Sequence, residues 1–186
     1  MWVWLQGLSG GAANFVGSFT GAAIGLMALL LGALFNAHLN RRRDDRIRRE
    51  EACAIATALK AELSGIDRTL LKNAESLNKP PPKDGGFNVP DPSHSVRVLP
   101  HMLPKFGSFD TDTIRLVLDA YSLVDQYCEA LIMMGGKVDQ NMPLQRRVVF
   151  LPAAKASHVI TLNRTMSMQI HNAVAKLDAF LSNNKR

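Results

Sequence analysis

The chain has 186 residues, 47% of them hydrophobic and 20% charged, with a formal net charge of +6. That length leaves room for one domain-sized portion beside a membrane anchor. The basicity is local: residues 41–49 hold six Arg and two Asp, leaving only a small excess elsewhere, so the basic stripe that a nucleic-acid-binding domain carries is missing.

In chain order the first expected element is a membrane span. With His38 neutral, no side chain from Met1 to Asn40 carries a full charge. A bilayer core about 30 Å thick needs roughly 20 apolar residues in a helix, and residues 12–36 supply them. Residues 1–11 are cluttered with Gly7, Ser9, Gly10 and Gly11 and read as an interfacial cap, with Trp2 and Trp4 at headgroup level. A cleaved leader would put its positive charge before a short apolar core; here the charge follows a long one. The N-terminal flank has no Lys or Arg, whereas Arg41, Arg42, Arg43, Arg46, Arg48 and Arg49 follow the span. By the positive-inside rule the N-terminus lies outside and the C-terminal domain is cytoplasmic, with the membrane crossed once.

Within the span, Gly17, Gly21, Gly25, Ala28 and Gly32 recur every three or four residues and share one helix face. Two of the steps are GxxxG, the spacing that lets helix backbones approach closely in lipid. The expected partners are the lipid bilayer and either a second copy (a homo-oligomer) or another membrane protein; no nucleic acid is expected. The Arg cluster reads as a membrane-surface basic cluster, where each residue gains about 1 kcal/mol from anionic headgroups.

Residues 41–78 are expected to form a juxtamembrane amphipathic helix. Ile55, Leu59, Leu63, Ile66, Leu70, Ala74 and Leu77 make a seam near the coiled-coil repeat, and Glu50, Glu51 and Glu62 alternate with Arg46, Lys60 and Arg68 as candidate local ion pairs. Residues 79–95, rich in Pro and Gly, read as a linker. Residues 96–186 read as a helical domain packing on 55–77. Its first clear helix is capped by Asp110 or Thr111, carries a wide apolar face from Ile114 to Ile132, and ends at Gly135-Gly136. Its last helix starts near Pro143 or Pro152 and runs to about Leu181, with Val159, Leu162, Met166, Ile170, Ala173, Leu177 and Phe180 as seam. Arg147–Leu151 is rich in β formers, a candidate strand with Val96–Leu99 as candidate partner. The expected fold class is all-α: one N-terminal transmembrane helix, a long juxtamembrane helix and a small antiparallel helical bundle of about three helices.

The span, the Arg-rich helix NRRRDDRIRREEACAIATALKAEL, the proline-broken linker and the helix FDTDTIRLVLDAYSLVDQY together resemble uncharacterised small bacterial single-pass inner-membrane proteins. The resemblance implies a bacterial origin and this architecture; it lends no activity and no site residues.

For chemistry, His38, His94, His101, His158 and His171 form no HExxH and no close pair on one helix face. Cys53 and Cys128 lack CxxC spacing and read as small apolar residues in a reducing compartment. Gly135-Gly136-Lys137 follows a helix and lacks the rest of a phosphate loop. Met133, Met134, Met142, Met166 and Met168 read as core fillers. No catalytic residue, cofactor or metal site is expected, and the chain reads as a non-enzymatic membrane-anchored interaction or scaffold protein. Two rivals stand beside that reading. One is a phage-derived lysis or envelope coiled-coil component with a periplasmic domain. The other is a membrane-tethered sensor or enzyme with a pocket between its helices.

Overall fold

The computed structural model describes residues 10–82, 85–138 and 147–184. Met1–Ser9 of the expected cap, and Met142 and Pro143, lie outside them. The chain divides into two compact units, Met1–Arg48 and Arg49–Arg186.

The described part of the first unit is helix throughout. It belongs to α1 (Gly10–Leu77), so Gly10 and Gly11 are already helical. No Pro or Gly falls between Leu34 and Arg48, and nothing stops the helix where the apolar stretch gives way to arginine. Among the described residues this is the one helix long and apolar enough to cross a membrane: its best window has a mean hydropathy of 2.0, and none of that window is buried. Phe15 is 72% exposed and Leu29 74%.

The second unit is mostly helical with a small sheet. After the end of α1 come β1 (Gly86–Pro90), α2 (Val98–Met102), α3 (Thr111–Asp125), α4 (Tyr127–Met133), β2 (Lys137–Val138), β3 (Val148–Pro152) and α5 (Ala156–Asn184), with 3-10 turns at Ser93–Ser95, Leu103–Ser108 and Ala153–Lys155. The seven apolar seam positions of α1 are all buried, and all but Ala74 pack with Val117, Val124, Leu131, Ile170 and Leu177 in the core. A buried Leu or Ile contributes about 1.5–3 kcal/mol, so this seam is the principal adhesive of the unit. In α5, Val159, Met166, Ile170, Ala173 and Leu177 are buried, whereas Leu162 and Phe180 are only partly so.

Side-chain ties give the helix directions. Lys60 meets Asp178 and Asp67 meets Ser167, so α5 runs antiparallel to α1. Glu62 meets Tyr121 while Asn73 meets Tyr127, so α3–α4 runs in the same direction as α1. The connection from Asn78 to Asp110 carries the chain back.

Three expectations need correction. First, the fold is not purely helical: β1, β3 and β2 form an antiparallel sheet in that order. The expected linker 79–95 contains β1, because Phe87 and Val89 alternate inward and pair with Leu151 and Val149. Pro90 is tolerated at the end of an edge strand, where no ladder donor is needed. Second, the strand expected near Arg147–Leu151 forms, but its partner is Gly86–Pro90 and not Val96–Leu99. Val98 instead opens α2, whose first N–H groups are taken by the Glu62 carboxylate. Third, the described residues form five α-helices, and the bundle is more divided than the expected three; the apolar helix after Asp110 breaks at Gln126 into α3 and α4.

Other signals act where expected. Asp110 caps α3, its side chain accepting from the Thr113 N–H. Gly135, at φ +91°, ends the helix: the Gly136 N–H reaches back to Leu131 O and the Gly135 N–H to Ile132 O, a Schellman stop. Pro152 and the following turn precede α5.

Candidate functional site

Two features stand out in the first unit. Gly17, Gly21, Gly25, Ala28 and Gly32 lie on one side of α1, and a Cβ added at any of the four glycines would meet nothing within 4 Å. The face is open, bordered by large exposed side chains such as Ile24 and Leu31. Thr20 hides its hydroxyl by donating to Val16 O at 2.8 Å, the usual way a helix carries a hydroxyl through an apolar stretch. Further along, Arg41, Arg42, Arg43, Arg46 and Arg48 are all exposed. Arg49, also exposed, is the first residue of the second unit.

In the second unit the informative groups are polar side chains built into the core. Glu62 accepts from the Arg97 N–H at 2.5 Å, the Val98 N–H at 2.8 Å and the Tyr121 hydroxyl at 2.6 Å. Burial, and then donation to Glu62 and its negative charge, push the Tyr121 phenol far above its usual pKa. A second group joins α1, β1, α4 and α5. The Tyr127 hydroxyl donates to Asn163 Oδ1 at 2.8 Å, and Asn73 Nδ2 donates to Pro90 O at 2.9 Å. Burial raises the Tyr127 pKa to about 12; the Asn73 and Asn163 hydrogen bonds oppose the shift, and the Asp91 charge adds to it. Asp91, 1% exposed, is held by the Ser93 N–H and hydroxyl, both at 2.9 Å. Burial likewise raises the Cys128 thiol, with Asp91 adding to the shift. That makes it a poorer nucleophile at neutral pH, in keeping with a packed residue.

No family model, curated protein or solved structure matches the chain. What the second unit can do must be read from its geometry.

One arrangement has the residue types of a nucleophilic triad. Asp67, Ser167 and His171 meet where α1 and α5 pack. Their connectivity is unsuited to that chemistry. The Ser167 hydroxyl donates to Asp67 Oδ1 at 2.6 Å, while His171 Nδ1 sits 2.9 Å from Ser167 O. A triad needs the imidazole between the hydroxyl and the carboxylate; here the hydroxyl occupies the middle. Ser167 is also 6% exposed, and the three tie two helices together. Of the remaining histidines, His38, His101 and His158 are exposed on helices, and His94 lies in a 3-10 turn. No group of three potential metal ligands forms among the described residues.

A crevice of about 270 Å³ opens between the last turns of α1, at Thr69, Lys72, Asn73 and Ser76, and the outer edge of β1. Gly85 O accepts from the Ala153 N–H and the Asp91 N–H donates to Arg147 O, so the ladder bonds fall on odd-numbered positions and the Asn88 N–H and C=O point toward that outer edge. Asn73 spans the crevice to Pro90 O, and Pro90 has no N–H. The strand edge is therefore mostly closed to pairing.

Sequence reading missed the buried polar residues Asn73, Asp91 and Asn163. The available signal was position: Asn73 and Asn163 sit within the apolar seams of α1 and α5. Three residues of the expected local ion pairs find more distant partners. Lys60 pairs with Asp178 at 2.5 Å, Glu51 with Lys105, and Glu62 with backbone N–H groups. Of the methionines, Met166 is core, but Met133 is 87% and Met168 57% exposed.

Proposed function

We propose that this chain is a non-enzymatic, membrane-anchored interaction protein of a bacterial inner membrane. Residues 12–36 span the bilayer once, with the N-terminus outside. The second unit is cytoplasmic and acts as a scaffold, with α1, α3 and α5 forming its bundle and the sheet closing one flank. One observation carries the reading: no residue of a window of mean hydropathy 2.0 is buried. In water such a surface is an aggregation liability; in lipid it is at rest, because every backbone group is satisfied within the helix.

The glycine face is the proposed contact. Small residues let a second helix approach closely enough to gain van der Waals attraction in lipid, and the open space at Gly17, Gly21, Gly25 and Gly32 supports that role. The occupant is a second copy or another membrane protein. Crosslinking of the full-length protein in native membranes tests the face. Gly21→Ile with Gly25→Ile should abolish a crosslinked species, whereas Leu30→Ile on another side should leave it intact. Crosslinking unchanged in the double variant would rule this face out.

A further inference from the structure

The positive-inside effect counts lysine and arginine alike, yet this chain does not use them alike. All six cations of residues 41–49 are Arg. The nine lysines of the chain all lie at Lys60 or beyond, mixed there with seven further arginines. A topology signal alone does not demand that choice. The chemistry that separates the two side chains is the planar guanidinium fork, which donates two parallel N–H bonds to one phosphate; an ammonium acts as a point charge.

The helix geometry places those forks usefully. Arg41, Arg42 and Arg43 are consecutive in an unbroken helix and all exposed. At 3.6 residues per turn they point to three sides of the helix, 100° apart, within about 3 Å of one another in height. Arg41 is five residues past Asn36, about 8 Å along the axis, which is the depth of the headgroup layer if the hydrocarbon ends near Asn36. Asp44 takes the next position around the turn, so a negative charge closes the ring on the fourth side.

We propose that Arg41, Arg42 and Arg43 form a phosphate-binding collar that gathers anionic phospholipids around the helix. Each guanidinium forks onto one phosphodiester. The ligand class is a glycerophospholipid whose headgroup has no compensating ammonium. The inference rests on the membrane-spanning reading above and adds lipid selectivity to it.

The test uses the full-length protein in vesicles of phosphatidylcholine containing a minor fraction of phosphatidylglycerol. Insertion is read first, by resistance to carbonate extraction. The lipids that leave with the protein in a membrane-solubilising polymer are then quantified by mass spectrometry. Phosphatidylglycerol should be enriched about fivefold over the bulk, the preference that one basic contact at a membrane surface confers. Arg41→Gln, Arg42→Gln and Arg43→Gln together should abolish the enrichment while the protein stays inserted. The triple Lys variant keeps the charge but not the fork, and should lose roughly half of the enrichment. Equal enrichment by the Lys variant would overturn the forked contact, and enrichment equal in wild type and the Gln variant would overturn the collar. Extraction of the wild-type protein by carbonate would overturn the spanning reading and this inference with it.

Discussion

Glu62 shows how much one charged residue can hold in place. Its two carboxylate oxygens serve three donors on two other elements. Removing an acceptor from a buried donor costs about 1–3 kcal/mol, and Tyr121 is only 3% exposed. Glu62→Ala should therefore destabilise the second unit by about 2–4 kcal/mol, read as a lower urea midpoint with an unchanged slope. Glu62→Gln keeps one acceptor oxygen and should lose less. A variant as stable as wild type would mean that α2 is held by its apolar contacts alone. The tyrosines give a second residue-scale test, because Tyr121 and Tyr127 are the only two in the chain. Both phenols are shifted upward in the folded state, Tyr127 to about 12 from an ordinary value of 10.0. Since the folded pKa lies above the unfolded one, the stabilisation is complete below pH about 10 and is lost as pH rises toward and through 12. For Tyr127 the two-unit shift corresponds to about 3 kcal/mol. Absorbance at 295 nm should detect almost no phenolate in the native protein at pH 10, and about half-ionisation in urea. Native titration near pH 10 would show that the phenols are not held as the geometry indicates.

At the scale of elements, legibility followed periodicity. The α1 seam repeats over seven positions, and a long amphipathic pattern has few competing readings; every one of those residues is buried. The Asp110 cap and the Gly135-Gly136 stop were readable because each answers a local requirement of a helix end. The sheet was half readable. Val148–Leu151 has β-branched and aromatic residues, but its partner is set by tertiary register, which a five-residue strand does not encode. Gly86–Pro90 looked like linker because glycine and proline bound it. That glycine has a packing reason: a Cβ there would sit 2.3 Å from the Phe150 ring. The break at Gln126 leaves no mark in composition. Of the candidate site, the glycine face and the arginine cluster were readable because both are runs of one residue class, while Asn73, Asp91 and Asn163 act only through folding. Glycines sharpen the contrast. Gly65 lies within α1, exposed, and an added Cβ there would meet nothing within 4 Å; Gly65→Ala should stabilise by about 0.5–1 kcal/mol. Gly135→Ala forces a side chain into φ +91° and should destabilise by about 1–2 kcal/mol. Thermal melts of the two variants should move in opposite directions, and a shared direction would contradict the Gly135 geometry.

For the whole molecule the decisive quantity is the asymmetry of charge along one helix. Before the apolar stretch there is no Lys or Arg; after it come six Arg within nine residues. The charge bias close to a span sets its orientation, and short flanks weigh most. Fusions to the C-terminus of the full-length chain should therefore give fluorescent green fluorescent protein and inactive alkaline phosphatase, because the second folds actively only outside the cytoplasm. A stronger form of the test moves the charge. Gln6→Arg and Ser9→Arg, combined with Gln at Arg41, Arg42, Arg43, Arg46, Arg48 and Arg49, should invert both reporters. The core of the second unit, built from Ile55 onward, does not contain those positions, so loss of its fold is not the expected cause of any change. Active phosphatase on the wild-type chain would place the second unit outside the cytoplasm and favour an envelope role. Inversion by the charge transfer would tie orientation to the arginines themselves.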